Sequence, residues 1–334
     1  MRVRAWVFCT LFFLACGQAA AATLVFMALG PANRILAIDA SRHQPTRTLL
    51  GVIDARAVVA AGSGLLVSGS FTSRPSEGGG AGELYVIDPA HGHTVLTLPV
   101  RGRIHTQAVT SDGRYVLSTH PDSNAISVFD LQSLQVARYL KTGAAPVAVV
   151  IRRLEPRAFV SNTGDGTVAE IDTRTWQVAR HWSVDGIPRF LAIDREEKRL
   201  LVGVPEQGTV TVVQLDTGEV ERRIPVGRKG FAGLALGEDG RSLFIGGPDT
   251  RITLLDIESG ASRHVELGAR PGDINPIAGT GTLYVASREK PMVWVLNQRN
   301  LELLETFELP AGEGFQVAVL SGIAPAEAST LSSH

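Results

Sequence analysis

The chain has 334 residues, with 32 lysines and arginines against 33 aspartates and glutamates, and its formal charge at pH 7 is −1. A near-neutral chain is not expected to bind nucleic acid, because such domains usually carry a strong basic excess. Hydrophobic residues make up 44% of the chain, far too many for a disordered protein. The two cysteines both lie near the N-terminus, so a disulfide framework and a cysteine-built zinc site are excluded.

Residues 1–22 are predicted to be a signal peptide. Arg2 and Arg4 form a positive start, residues 5–15 are an apolar run, and the alanines at 19–22 suit a cleavage site. The run is shorter than the roughly 20 residues that a membrane-spanning helix needs. An uncleaved anchor and a lipid on Cys16 are the alternatives. We expect a periplasmic protein with no membrane span after cleavage, and its cysteine-free mature chain suits an oxidising compartment.

The two ends of the next region, residues 23–322, are predicted to share one sheet. The N-terminal part supplies three strands, at Leu24–Leu29, Arg34–Ala40 and Thr46–Leu50, and Phe315–Ser321 is a single strand without a partner of its own. Joining them hides strand edges that would otherwise aggregate. A Gly-rich insertion at 71–82 is expected to be a surface excursion or a lid, and residues 323–334 a disordered tail.

Internal repetition predicts the fold between these ends. An apolar alternation that ends in an Ile-Asp-like pair and a turn recurs seven times, at spacings between 40 and 49 residues. The pairs are Ile38-Asp39, Ile87-Asp88, Phe129-Asp130, Ile171-Asp172, Leu215-Asp216, Leu255-Asp256 and Leu296-Asn297. Each period holds four strand-like pieces, which is typical of a propeller blade. The sequence therefore predicts an all-β, seven-bladed β-propeller with four antiparallel strands per blade, and a β-sandwich is the alternative.

In the fourth period the predicted strands are Phe190–Ile193, Arg199–Val204, Gly208–Leu215 and Val220–Pro225. The Asp-Gly pairs at 112–113 and 239–240 predict two-residue hairpins with type I′ turns, which need positive φ angles. The aspartate of each Ile-Asp-like pair is expected to accept hydrogen bonds from backbone N–H groups two residues further on. These acidic residues are therefore interpreted as turn formers and not as catalytic carboxylates.

The same residues resemble a known repeat family. Phe159–Val168 (FVSNTGDGTV), followed by Ile171-Asp172-Thr173, is similar to the YVTN-type propeller repeat, and Gly143–Pro146 and Gly268–Pro271 match the Gly-x-x-Pro that opens the next blade in that family. The resemblance implies the fold and no particular chemistry. Relatives include surface-layer propellers, lactonases, quinoprotein subunits and periplasmic haem d1-binding propellers.

Function is expected in the loops that break the repeat. In a propeller, the loops between blades share a face with those between the second and third strands, around one mouth of the channel. The blade-to-blade positions offer Asp54, Arg103, His105, Arg189, Lys229, Arg270, Asp273 and Glu313. The second-to-third-strand positions offer His120, Asn124, Asn162, Glu206, Asp249, Arg288 and Lys290.

A positively charged, His-bearing mouth is predicted, because five of the eight blade-to-blade residues are basic and such a mouth attracts anions. The candidate ligand-binding residues are His105, His120, Arg103, Arg189, Lys229, Arg270 and Asn162. The alternative is a solvated rim in which Arg103 pairs with Asp54 and Arg270 with Asp273. Two histidines without a third ligand do not indicate a metal, so none is predicted.

Three functions fit this pattern. The first is a monomeric ligand-binding or scaffold module, whose partner is an anionic small molecule or a periplasmic protein. The second follows from the resemblance: a haem d1-like tetrapyrrole-binding or maturation protein, with Arg189, Lys229 and Arg270 on the propionates and a histidine near the iron. The third is an enzyme of the lactonase or lyase type. The chain contains no phosphate loop, nucleophile elbow or c-type haem motif, so the non-enzymatic module is preferred.

Overall fold

The computed structural model describes residues 22–71, 81–310 and 312–323. The predicted signal peptide, most of the Gly-rich insertion and nearly all of the predicted tail lie outside these residues. Within them the chain forms strands β1 to β28 and one three-residue 3-10 helix, Pro121–Ser123. None of the helices in this part of the chain is long and apolar enough to cross a membrane.

The strands form seven antiparallel sheets of four strands, which confirms the predicted seven-bladed β-propeller. Blade 1 contains β4 Ala55–Ala60, β5 Leu66–Ser70, β6 Ala81–Asp88 and β7 His93–Arg101. Blade 2 contains β8 Gln107–Val109, β9 Tyr115–His120, β10 Ala125–Asp130 and β11 Gln135–Lys141. Blade 3 contains β12 Pro146–Ile151, β13 Arg157–Asn162, β14 Thr167–Asp172 and β15 Gln177–Ser183. Blade 4 contains β16 Phe190–Ile193, β17 Arg199–Val204, β18 Thr209–Gln214 and β19 Val220–Pro225.

Blade 5 contains β20 Gly233–Leu236, β21 Ser242–Gly246, β22 Arg251–Asp256 and β23 Ser262–Glu266. Blade 6 contains β24 Pro271–Ile277, β25 Thr282–Ser287, β26 Met292–Asn297 and β27 Leu303–Glu308. Blade 7 combines β1 Ala22–Leu29, β2 Arg34–Asp39 and β3 Gln44–Leu50 with β28 Val317–Ile323. The first strands of neighbouring blades contact one another, so they line the central channel.

Position within a blade decides the burial of a strand. The middle strands, such as β17 and β18, are buried on both faces because neighbouring blades pack against them, and they are rich in Val, Ile and Leu. The outer strands alternate between exposed and half-buried residues, as in β7. The predicted strands of blade 4 agree with β16 to β19 within one residue at each end.

The predicted closure of blade 7 by both ends of the repeat region is confirmed. Strand β28 pairs antiparallel with β1, from Met27 opposite Val317 to Thr23 opposite Ser321. The C-terminal strand begins at Val317, two residues later than predicted. Phe315 and Gln316 therefore precede the strand and lie at the channel.

The turns confirm one prediction and correct another. The aspartates after the third strand do accept from the backbone: Asp172 Oδ1 receives the N–H of Arg174 at 2.8 Å and of Thr175 at 3.2 Å. The Asp-Gly turns, however, are not type I′, which requires positive φ at both residues. Only the glycine is left-handed: Gly113 has φ 71 and donates to the Thr110 carbonyl at 2.8 Å, while Asp112 accepts from the Arg114 N–H.

Candidate functional site

The channel mouth encloses a cavity of about 540 Å³, which lies within the roughly 300–1,000 Å³ typical of small-molecule sites. Its lining comes from the loops between blades and between second and third strands, as the sequence predicted, and also from the beginnings of the innermost strands themselves. All seven blades contribute, for example through Arg56, His105, Val147, Arg189, Phe231, Asp273 and Phe315. The lining therefore comes from distant parts of the chain.

Phenylalanines form much of the apolar wall. Phe71, Phe190, Phe231 and Phe315 all line the cavity. The rings of Phe190 and Phe231 are stacked with centroids 5.7 Å apart, and Phe71 meets the His105 ring edge-on at 5.8 Å. Such walls suit the apolar part of a small organic ligand.

Three arginines line the cavity among the described residues, and they differ in their partners. Arg56 pairs with Asp54 at 3.3 Å, and its guanidinium carbon lies 4.0 Å from the Phe71 ring centroid and 4.9 Å from that of Phe315. These contacts fix Arg56 in place. Arg189 and Arg288 make no side-chain hydrogen bond or ion pair with a described residue, so their guanidinium groups are available to a ligand.

Three acidic side chains, those of Glu206, Asp273 and Glu313, line the same cavity within the described chain. Burial raises the pKa of Asp273 to about 6; Glu313 also raises it, whereas Arg288, Arg56 and Arg189 lower it. The three arginines thus face an equal number of carboxyl groups in the described lining. The mouth, expected from the sequence to be positively charged overall, is a mixed one in this cavity, because loop residues of both signs converge on the channel.

His105 is the predicted histidine that lines the cavity. Burial lowers its pKa to about 4, with further lowering by the charges of Arg189, Arg103 and Arg56. The imidazole is therefore neutral at pH 7. Its Nδ1 is buried and has no hydrogen-bond partner in the described part of the chain. A neutral ring with one unpaired nitrogen can hydrogen-bond to a ligand or coordinate an iron atom.

His120 and Asn162 lie inside the blades and do not line the cavity. His120 is fully buried, and its Nε2 hydrogen-bonds with Ser127 Oγ at 2.8 Å. The Asn162 amide donates to the Thr142 carbonyl at 2.9 Å and to Thr167 Oγ1 at 3.0 Å, which ties β13 to the chain around it. Both side chains end a second strand and point into the packed interior rather than toward the mouth.

The other three predicted basic residues lie around the rim. Arg103 pairs with Asp122 at 2.9 Å and lines a side pocket of about 250 Å³ together with Phe71, His105 and Arg189. Arg270 pairs with Glu289 at 2.5 Å, and Lys229 is exposed; neither lines the main cavity. The alternative pairs of Arg103 with Asp54 and Arg270 with Asp273 are not the ones formed, because Asp122 and Glu289 lie closer.

Sequence reasoning left several cavity residues out of the candidate site. Asp273, Glu313 and Arg288 were placed at the mouth but not selected, whereas Arg56, Phe71 and Phe315 were missed. Aligning the periods on the innermost strand would have found Phe315, which stands two residues before such a strand, as His105 does. Within the described ranges, no group of three or more His, Cys, Asp or Glu residues is placed to hold a metal ion.

Comparisons with known proteins agree with this fold. A family model described as YNCE-like beta-propeller matches residues 23–241. No curated protein matches the chain. Among solved structures, a Bacteroides uniformis protein provisionally named a 6-phosphogluconolactonase is similar with a TM-score of 0.72 and 16% identity, over 89% of this chain and 99% of that one.

Two further solved structures are similar at comparable levels. Hydrazine synthase from Kuenenia stuttgartiensis has a TM-score of 0.67 and 16% identity, over 76% of this chain and 86% of that one. The dihydro-heme d1 dehydrogenase NirN, in complex with DHE, has a TM-score of 0.66 and 14% identity, over 86% of this chain and 64% of that one. At such low identity these likenesses show the fold alone.

Proposed function

The chain belongs to the YNCE-like beta-propeller family, and we propose that it is an exported, periplasmic binding protein whose mouth cavity holds a small organic anion. One observation carries the proposal. Arg189 and Arg288, both exposed to solvent, line the partly open cavity without an ion-pair partner among the described residues. Arginine grips a carboxylate or phosphate through paired N–H donors, and the apolar wall beside these arginines strengthens that attraction relative to open water.

His105 supports the same proposal. An unpaired, buried polar atom is unfavourable in a folded protein, and Nδ1 of His105 is such an atom. A ring rotation that turned this nitrogen toward the cavity would let a polar group of a ligand satisfy it. The phenylalanines around the ring would cover the apolar part of that ligand, and Arg56, already engaged with Asp54, holds Phe71 and Phe315 in position.

Calorimetric titration with organic acids tests the proposal, and succinate, glutarate and 3-phenylpropanoate are suitable probes. We expect Arg189→Gln and Arg288→Gln each to weaken the tightest of them by roughly ten-fold or more, because each variant removes a charge-assisted contact. Arg270→Gln is the matched control, since Arg270 pairs with Glu289 outside the cavity, and its effect should stay below about two-fold. Equal losses in all three variants, or no binding by any acid, would contradict the proposal.

A tetrapyrrole is a second candidate for this anion. The observation that favours it is a neutral His105 with an unpaired Nδ1 beside Arg189, in a fold like that of NirN in complex with DHE. His105 would hold the iron, and Arg189 and Arg288 would pair with the carboxylates, in place of the predicted Lys229 and Arg270. Titration with haem should shift the Soret band in the wild type and not in His105→Ala; an identical shift in both proteins would exclude this candidate.

A further inference from the structure

We propose that the ligand of the mouth cavity is a zwitterion of the amino-acid type, with an ammonium group bound by Asp273 and Glu313 and an acid group bound by Arg189 and Arg288. This inference rests on the proposed function and narrows it, since an anion without an amine would satisfy the proposed function but not this one. It rests on the charged side chains of the lining that have no ion-pair partner among the described residues, because these include both positive and negative groups.

The two carboxyl groups lack partners in the same way as the two arginines. Asp273 lies in β24, the innermost strand of blade 6, and Glu313 precedes β28, the innermost strand of blade 7, so adjacent blades present them to the cavity. Neither makes a hydrogen bond or an ion pair with any residue that the structure describes. A half-buried carboxylate without a donor is unfavourable, and an ammonium group supplies three donors and the opposite charge.

The lining does not neutralise itself. If Arg288 and Asp273 formed a satisfied pair, the arginine would hold the pKa of Asp273 below its ordinary value. The pKa of Asp273 is instead raised to about 6, because burial and Glu313 outweigh the attraction of Arg288, Arg56 and Arg189. Among the described residues, Asp273 therefore has nearby arginines but no cation that forms an ion pair with it. A purely anionic ligand would bring no positive charge to Asp273 and would place another negative charge near it.

The size and walls of the cavity limit what else the zwitterion carries. A cavity of about 540 Å³ accommodates an amino acid with room for a sizeable side chain. Phe190 and Phe231 form a stacked pair in the wall, and Phe71 and Phe315 are engaged with Arg56. We therefore expect an apolar or aromatic side chain rather than a second acid.

Matched probes that differ only in their charges test the inference by calorimetry at pH 7.5. One set is L-phenylalanine, 3-phenylpropanoate and 2-phenylethylamine; the other is L-leucine, 4-methylpentanoate and 3-methylbutylamine. In at least one set the amino acid should bind roughly ten-fold or more tightly than either singly charged analogue, because it alone engages both pairs of residues. If the acid binds as tightly as the amino acid, the inference is wrong and the proposed function stands. If no member of either set binds, the inference is wrong and the proposed function fails for ligands of this size.

Variants locate the ammonium site. Asp273→Asn should abolish the preference for the amino acid and leave the affinity for the acid unchanged or higher, since it removes a like charge. Glu313→Gln should act in the same direction. Glu289→Gln, on the rim and paired with Arg270, is the matched control and should preserve the preference. Thermal midpoints equal to the wild type would exclude misfolding as the cause, and a preference that survives in Asp273→Asn would overturn the assignment.

The pH dependence has opposite signs for the two kinds of ligand. Between pH 7.5 and 5.5 Asp273 becomes largely protonated, so the affinity for the amino acid should fall by about four-fold while that for the acid stays level or rises. The other groups around Asp273 are Arg288, Arg56, Arg189 and Glu313, and His105 stays neutral in this range because its pKa is about 4. The fall should vanish in Asp273→Asn. A parallel change for both ligands would contradict the inference.

Discussion

His105 and His120 have similarly lowered pKa values but lie in different surroundings. Burial lowers the pKa of both to about 4, so both are neutral at pH 7. His105 lines the mouth cavity, whereas His120 is enclosed within blade 2 beside Ser127 and Tyr139. The same shift therefore reports a candidate binding group in one case and a structural group in the other.

The two buried histidines should make the protein sensitive to acid. Their folded pKa of about 4 lies below the unfolded value of 6.5, so the unfolded chain binds more protons between these pH values. Stability is therefore full above pH 6.5 and is lost as the pH falls toward 4, by up to about 3 kcal/mol for a buried histidine. Urea unfolding of the wild type and of His120→Gln, at pH 7 and pH 4.5, measures this loss.

The expected result is a smaller loss on acidification in His120→Gln than in the wild type. Histidine 264, on the outer strand β23, is exposed, so His264→Gln is the matched control and should follow the wild type. Equal losses in His120→Gln and the wild type would show that His120 contributes nothing to the acid sensitivity.

At the scale of the element, neighbouring blades are joined by a buried carboxylate. The side chain of Glu197, in the turn between β16 and β17, is 2% exposed and accepts the backbone N–H groups of Arg153 at 2.6 Å and Leu154 at 3.0 Å. Arg153 also pairs with it at 3.3 Å and Arg152 at 3.5 Å. Glu197 therefore connects the first hairpin of blade 4 to the first hairpin of blade 3.

Glu197→Ala should lower the free energy of unfolding by about 3–5 kcal/mol, because it leaves buried donors without an acceptor. Its neighbour Glu196 offers a matched control. Glu196 pairs with Lys198, but the two side chains are 70% and 74% exposed, so Glu196→Ala should cost less than about 1 kcal/mol. Chemical denaturation of both variants measures the difference, and equal losses would refute the role assigned to Glu197.

The sequence predicted elements better than it predicted their surroundings. Period-two alternation located β16 to β19 within a residue, because each alternation records which faces of a strand are covered. It does not record how far a loop reaches toward the channel axis. Arg288 and Arg270 both lie in loops on the mouth face of blade 6, yet the first lines the cavity and the second pairs with Glu289 on the rim. Asn162, part of the repeat motif, hydrogen-bonds to the Thr142 carbonyl and does not line the mouth cavity.

For the whole molecule, the packing between blades 7 and 1 and between blades 6 and 7 determines whether the ring holds together. Phe26, Ile35 and Tyr85 belong to a buried apolar cluster on one side of blade 7, and Met27 and Tyr284 belong to another on the other side. Both clusters include residues of β1, whose inner edge is covered by β28. Removing β28 would expose that edge and part of both clusters.

A chain truncated after Leu309 should therefore aggregate and lose its cooperative thermal transition, because an uncovered edge strand pairs with other chains. A chain truncated after Ile323 retains β28 and is the control, with wild-type behaviour expected. Light scattering and thermal unfolding measured by circular dichroism distinguish the two. A monomeric, cooperatively unfolding product from the shorter chain would show that blade 7 does not need its fourth strand.

The contact between β1 and β28 also sets an order of events. It joins Thr23 and Ser321, which are 298 residues apart in the chain, and such distant contacts form late because everything between them must first be arranged. Glu313 and Phe315 reach the cavity only when β28 pairs with β1. They then line the cavity next to Arg56 of the neighbouring blade 1. We infer that the proposed binding cavity is completed in the final step of folding. A ligand bound there would contact blades 7 and 1 together and would stabilise the closed ring.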